Sequence, residues 1–226
     1  MTNLLLAGGS LAVASAVQAR ILAPMLAHDA GRYGVVRRLP ADLRGPAAFL
    51  MLDWAMYWWH RATHLVPVLW RFHRVHHVDL DMDMSTALRF HAIDQLVSAP
   101  MRVAMIVVIG PDEKAHASWN AFFGASVLFH HANISIPRAV EERLALLLTT
   151  PRMHGIHHMA VRSATDSNWS SGISLWDRLH GSFRLDLHED TIRMGVAGYP
   201  ESVGIGESLA LPFRSTEGDW HAPSQT

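Results

Sequence analysis

His60-Arg61-Ala62-Thr63-His64, His73-Arg74-Val75-His76-His77 and His154-Gly155-Ile156-His157-His158 are the stretches on which the reading of this chain turns. The first is HxxxH and the other two are HxxHH. On an α-helix, residues three and four apart share a face, with Cβ atoms about 5–6 Å apart, so each stretch aims two or three imidazoles at one point. Histidine supplies 16 of 226 residues. At that frequency roughly 0.08 copies of HxxHH are expected by chance, and the chain has a pair of them. A lone histidine on an apolar face is ordinary core packing. Three spaced clusters read instead as ligands, imidazole being the commonest metal-binding side chain. Their combined number exceeds the four ligands of a closed tetrahedral zinc site and fits two metals.

The surrounding chain is oily. Half of it is hydrophobic and 17% is charged, against about 25% in soluble domains, and its mean hydropathy is slightly positive. The net charge of −1 speaks against a nucleic-acid partner, which needs a basic patch or stripe. Cysteine is absent, so disulfides, thiolate-held zinc, Fe–S clusters and c-type haem attachment are all excluded.

Four apolar stretches stand out: Leu4 to Leu26 with Arg20 inside, Pro46 to Trp59 extensible through Leu65–Leu69, Leu96 to Gly110 with Arg102 inside, and Trp119 to Phe129 running on to Ile134–Ile136. None is a charge-free run of the ~20 residues a spanning helix needs. They predict short or tilted helices sharing a bundle, with polar groups turned inward. The fold class expected is all-α: a membrane bundle of about four apolar helices under a His-rich cytoplasmic cap. The alternative is a soluble all-α core. The first stretch could also be a signal peptide ending near Val17-Gln18-Ala19, but Met1-Thr2-Asn3 brings no side-chain positive charge. The division expected is an apolar helix and basic loop over 1–45, the metal domain over 46–194, and irregular Gly/Ser/Pro-rich coil over 195–226.

Neutral imidazoles leave a cation's charge uncompensated, so carboxylates are expected behind them, holding the outer ring N–H groups. Asp53, Tyr57, His60 and His64 fall at i, i+4, i+7 and i+11, one helical stripe. A carboxylate among Phe49, Leu52 and Met56 is costly unless paired, so Asp53 is expected to orient His60 or His64. The alternative is a helix-end or interfacial role. Tyr57, Asp94, Asp166 and Asn168 are further candidates for this supporting layer.

With Leu69-Trp70-Arg71-Phe72 before His73, Thr86-Ala87-Leu88-Arg89-Phe90-His91, His131-Ala132-Asn133, Thr150-Pro151-Arg152-Met153 before His154, Thr165-Asp166-Ser167-Asn168 and Leu175-Trp176-Asp177-Arg178-Leu179-His180-Gly181, the order of motifs from Asp53 to Phe183 resembles the fatty acid hydroxylase/sterol desaturase superfamily of integral-membrane non-haem di-iron proteins. That resemblance implies two iron ions (zinc as a substitute occupant), O2 as co-substrate, and hydroxylation or desaturation of a lipid C–H bond. No catalytic side chain is implied beyond the metal centre. It also adds His131 to the ligands His60, His64, His73, His76, His77, His154, His157 and His158. Many relatives carry another histidine four residues after the one matching His131; here that position is Ser135, so His91, His130 or Asn133 is expected to complete the site. With no haem, flavin or Fe–S motif, electrons must come from a separate protein such as a cytochrome b5 or ferredoxin. The location implied is a membrane, the bacterial inner membrane or the endoplasmic reticulum in a eukaryote, with the site facing the cytoplasm. The third apolar segment would leave that side and the fourth return, bringing His131 level with His60. Arg32, Arg37, Arg38 and Arg44 would then lie outside, against the positive-inside tendency, unless the first segment lies along the interface. The rivals are a non-catalytic His-rich membrane metal carrier and a metal-dependent hydrolase, which dependence on O2 and reductant would separate.

The remaining expectations are smaller. His28, His116, His188 and His221 read as surface residues, and His180 as packing. Trp54, Trp58, Trp59 and Trp70 read as an interfacial belt. Arg61, Arg71 and Arg74 would dock a lipid headgroup or an acidic electron donor, or anchor the chain at the cytoplasmic interface.

Overall fold

Each turn that places the histidines is written in a short polar or proline-marked junction. The computed structural model describes residues 1–186 and 193–220, and every regular element among them is helical. The first apolar stretch forms α1 (Thr2–Val17), a π turn (Gln18–Leu22) and α2 (Ala23–Ala27) in nearly one rod. Then α3 (Ala41–Leu65) follows Pro40. Val66 alone separates it from α4 (Pro67–His77). A residue before proline is pushed out of the helical region, and Val66 is extended, at φ −95° and ψ 114°. The chain therefore folds back sharply, and α4 lies against the C-terminal turns of α3.

The next two helices begin and end on marked residues. In α5 (Ala92–Ile109) the first turn is capped by His91 Nδ1, which accepts from the Ile93 amide. It stops at Gly110, whose φ of +78° suits glycine best. Gly110 also sits under Gly34, where a Cβ would fall 2.5 Å from the Gly110 Cα; the loop before α3 is thereby pressed onto the end of α5. The N-cap of α6 (Glu113–His130) is Asp112, which accepts from the Ala115 amide. Among these long helices, α1 packs on α5, and α3 on both α5 and α6. Two runs, Thr2–Ala27 and Ala92–Ile109, are long and apolar enough to cross a membrane.

The rest is short helices: α7 (Arg138–Leu144), α8 (Pro151–His157), α9 (Arg162–Thr165), α10 (Leu175–Leu179) and α11 (Ile205–Ala210). Thr150 caps α8 through its side chain, and Pro151 occupies the first turn, where its missing N–H costs nothing.

The structure corrects four expectations here. After Gly195 the chain is not wholly irregular: α11 continues into a 3₁₀ turn, Leu211–Phe213, and Leu211 is fully buried against α4. Arg74 is no docking residue. It is completely buried, its Nη1 bonds Asp219 Oδ1 at 2.7 Å and Ser215 O at 2.9 Å, and its Nη2 bonds the carbonyls of Leu211 and Arg214. Trp70 is likewise no belt residue, since its indole N–H donates to Asp219 Oδ2 at 2.8 Å and its ring stacks on Trp220. The C-terminal segment is thus strapped onto α4 by charge and aromatic contact. Of the histidines expected at the surface, His28 is exposed, whereas His116 is buried beside Trp119, with Nδ1 3.3 Å from the Asn120 amide group. His188 and His221 lie outside the described residues.

Candidate metal centre

Helical spacing and the α3–α4 reversal together deliver the histidines. From α3 come His60 and His64, one turn apart, with ring centres 5.2 Å apart. From α4 come His73, His76 and His77, and from the end of α8 come His154, His157 and His158. His131, just past α6, closes the set. All nine are buried.

They sort into two groups. His60, His64, His73, His77 and His157 form one, and His76, His131, His154 and His158 the other; within each, one ring nitrogen per residue lies within 4.8 Å of all the rest. The two HxxHH motifs divide in complementary fashion. In α4 the i, i+4 pair His73/His77 faces the first group and His76 the second. In α8 the i, i+4 pair His154/His158 faces the second group and His157 the first. His77 and His158 stack across the boundary, 4.2 Å between centres and 14° between planes, so the groups are neighbours.

The outer ring nitrogens decide what the inner ones can do. His60 Nδ1 lies 2.8 Å from Trp169 O, His76 Nδ1 3.1 Å from Thr86 O, His131 Nδ1 2.8 Å from Val127 O and His157 Nδ1 2.8 Å from Ser167 O. A carbonyl only accepts, so each Nδ1 must carry the proton, and each neutral ring presents a bare lone pair at Nε2. Yet His60 Nε2 faces His157 Nε2 at 3.1 Å, and His76 Nε2 faces His131 Nε2 at 3.2 Å. Two acceptors at that range repel unless a cation lies between them. A proton is disfavoured: burial holds His76 and His157 well below the usual imidazole range and lowers His131 to about 4. Both ring nitrogens of His64 and of His77, and Nε2 of His73, are buried without a hydrogen-bond partner. Such orphaned atoms are costly. An all-imidazole donor set suits iron, zinc, copper or nickel, so these residues fit divalent metal.

Acid is expected to undo the metal-free protein over a defined window. A folded-state pKa below the unfolded value of about 6.5 means that the unfolded chain binds more protons. The stability due to these buried neutral rings is then fully present above about 6.5 and falls as pH drops towards about 4, the value of His131. Melting temperature followed by circular dichroism should decline across that window; a flat profile would show that the rings are not held neutral.

The supporting layer differs from expectation. Backbone carbonyls, not carboxylates, hold the outer N–H groups. Asp53 does not reach His60 or His64: its Oδ2 accepts from the Ile173 amide at 3.0 Å and the Trp176 indole at 2.7 Å, so it ties α3 to α10 and the segment leading into it. Tyr57 bonds Ser182 Oγ at 3.0 Å and stacks on His180. Asp94 lines a cavity, and Asp166 pairs with Arg162 at the surface. Asn168 clamps backbone, donating to Met153 O and Arg184 O at 2.8 Å each. Of the three residues expected to complete the site, His91 is spent on capping α5, Asn133 is exposed, and His130 stands beside the second group, its ring 3.9 Å from His154, outside the nitrogen cluster. Sequence reasoning assigned no role to Asp177. Buried at the start of α10, it accepts from the amides of Trp169 and Ser170 and from Ser182 Oγ, and so fixes the loop whose carbonyl orients His60. Its signal was its place in the Trp176-Asp177-Arg178 motif.

A cavity of about 400 Å³ abuts the histidines, touching His60, His73, His76, His131 and His154. Its other walls come from α1 (Leu11, Ala14), α3 (Met56, Trp59), α5 (Asp94, Met101) and α6 (Phe123, Val127). That volume falls in the usual range for small-ligand sites, about 300–1,000 Å³.

Fold and site together define a helical protein built around a paired, all-imidazole constellation that fits metal, at the end of an apolar chamber. The fatty acid hydroxylase family model matches residues 45–182, and the chain belongs to that family. It is 30% identical over 175 residues to an alkylglycerol monooxygenase from Homo sapiens, covering 77% of this chain and 37% of that one. Over 164 residues it is 27% identical to an ornithine lipid hydroxylase from Rhizobium tropici, covering 73% and 48%. A probable Delta(7)-sterol 5(6)-desaturase from Neurospora crassa is 23% identical over 185 residues, covering 80% and 51%. The chain thus spans about half or less of the length of these relatives. No solved structure matches it significantly.

Proposed function

We propose that the chain is a membrane-bound, O2-dependent oxidoreductase that hydroxylates or desaturates a C–H bond of a lipid. The observation that carries this reading is the opening of an apolar, helix-walled cavity directly onto five of nine converging imidazoles. His60, His64, His73, His77 and His157 hold one metal, and His76, His131, His154 and His158 the other. Two iron ions so bound would supply the oxidising power towards the substrate carbon.

The protein's own groups do the rest. Trp169, Thr86, Val127 and Ser167 carbonyls lock four rings in the tautomer that presents Nε2 inward. Met56, Trp59 and Phe123 exclude water from the cavity and align an acyl or ring system beside the histidines. The runs Thr2–Ala27 and Ala92–Ile109 cross the bilayer, with the histidines at its cytoplasmic face, where a separate electron-donor protein supplies two electrons. Arg61, held over the rings of Trp58 and Trp169, and exposed Arg71 are the cations available to an acidic donor.

The test is turnover by purified chain loaded anaerobically with ferrous iron and presented with a total lipid extract. Addition of O2 and a reductant should give lipid products 16 mass units heavier or 2 lighter, and omission of either should give none. Product formed without O2 would exclude the oxygenase.

A further inference from the structure

One carboxylate on the cavity wall accepts no hydrogen bond among the described residues. Asp94 stands in the first turn of α5, is 6% exposed and lines the cavity. Its backbone carbonyl takes the Ser98 hydroxyl at 2.7 Å, while among the described residues its carboxylate accepts no hydrogen bond and has the charge of Arg102 as its electrostatic counterpart. Leaving such a group among apolar walls is expensive, and within a membrane-crossing helix an ionisable side chain marks a functional site. Two turns further along the same helix, Arg102 also lines the cavity. Helical side chains lean towards the N-terminus, and Arg102 reaches back so that its Nη2 donates to Gln95 Oε1 at 3.0 Å. Its guanidinium thus arrives beside the level of Asp94. Away from the histidines, the cavity walls from α1, α3 and α6 are mainly apolar, and the Ser10 and Thr63 hydroxyls there donate to backbone carbonyls of their own helices; beside α5 the cavity therefore offers an acceptor and a donor of opposite charge in one place.

That pairing selects a ligand chemistry. An ammonium group could donate to Asp94 but would face Arg102; a phosphate or carboxylate could accept from Arg102 but would face Asp94. A hydroxyl donates to one and accepts from the other, and it is neutral, as the balanced pair requires. Resting on the lipid-oxidising reading above, we infer that Asp94 and Arg102 form a hydroxyl-binding site in the cavity wall, with Asp94 the residue that makes the protein select lipids bearing a free hydroxyl. The substrate is then anchored by its polar end near the first turn of α5, and a carbon of its apolar part lies against the histidines.

Equilibrium binding of 1-hexadecanol and of its O-methyl ether tests this, using the full, iron-loaded chain in detergent under anaerobic conditions without reductant. Nothing turns over there, so binding is read apart from chemistry. A hydrogen bond to a charged buried group predicts that the alcohol binds about 10–100-fold more tightly than the ether. In Asp94→Leu the preference should shrink to within about threefold. Should that variant not fold, Asp94→Asn, of the same size but a weaker acceptor, should cut the preference at least about threefold. Equal binding of both lipids by the unaltered protein, or an undiminished preference in a folded Asp94 variant, would overturn the proposal. Intact discrimination with no O2-dependent product would instead count against the oxygenase and leave the hydroxyl site standing.

Discussion

His131→Ala is expected to abolish turnover while leaving the fold in place. The second histidine group has four members, and His131, at the C-cap of α6, is the one it draws from that part of the chain. Without it three rings remain, His154 and His158 from one helix and His76 from another, and the coordination they offer is open on one side. Loss of a residue that merely supports a ligand typically costs 10–100-fold in metal affinity or activity. Loss of the ligand itself should exceed about 100-fold on that scale. The first group, with five members, should tolerate a single deletion better. His64→Ala, which removes a ring with no hydrogen bond to the protein, should keep more of its metal than His131→Ala does. Metal content and product yield on the two variants, side by side, check the asymmetry; equal losses would mean that the groups are not independent sites.

Arg74→Met carries the largest expected effect on stability. The guanidinium is fully buried and satisfies Asp219 together with three backbone carbonyls of the C-terminal segment. Removing one partner of a buried pair leaves the other charge uncompensated, at a cost of about 3–5 kcal/mol. For a chain of this size that corresponds to a fall in melting temperature on the order of 10 °C. The charge left behind on Asp219 should account for much of the loss, so adding Asp219→Leu to Arg74→Met should restore part of it. Because α4 carries three histidines, loosening the strap should also release metal more readily. A melting temperature unchanged in Arg74→Met would show that the C-terminal segment does not hold α4.

The histidines were legible because helical spacing is a sequence property: His73/His77 and His154/His158 announce their shared face in four residues. The reversal at Val66–Pro67 and the caps at Asp112 and Thr150 are equally local. What escaped was long-range or backbone-borne. Asp53 lies on the same stripe as His60, but a stripe gives a face and not a partner. The groups that hold it, Ile173 and Trp176, are 120 and 123 residues away. The carbonyls of Thr86, Val127, Ser167 and Trp169 could not be foreseen, since every residue has one. Arg74 sits between two candidate ligands in sequence and reads as available for docking, yet on the helix it points away from His73 and His77 towards the tail. The tail in turn hid Leu211, Asp219 and Trp220 in a composition that reads as coil.

Metal stoichiometry tests the central claim most directly. Purified full-length chain, kept from chelators, loaded anaerobically with ferrous iron and freed of excess by gel filtration, should carry close to two ions per chain by elemental analysis, and His131→Ala close to one. One ion or none in the unaltered protein would contradict the paired centre, whatever its activity.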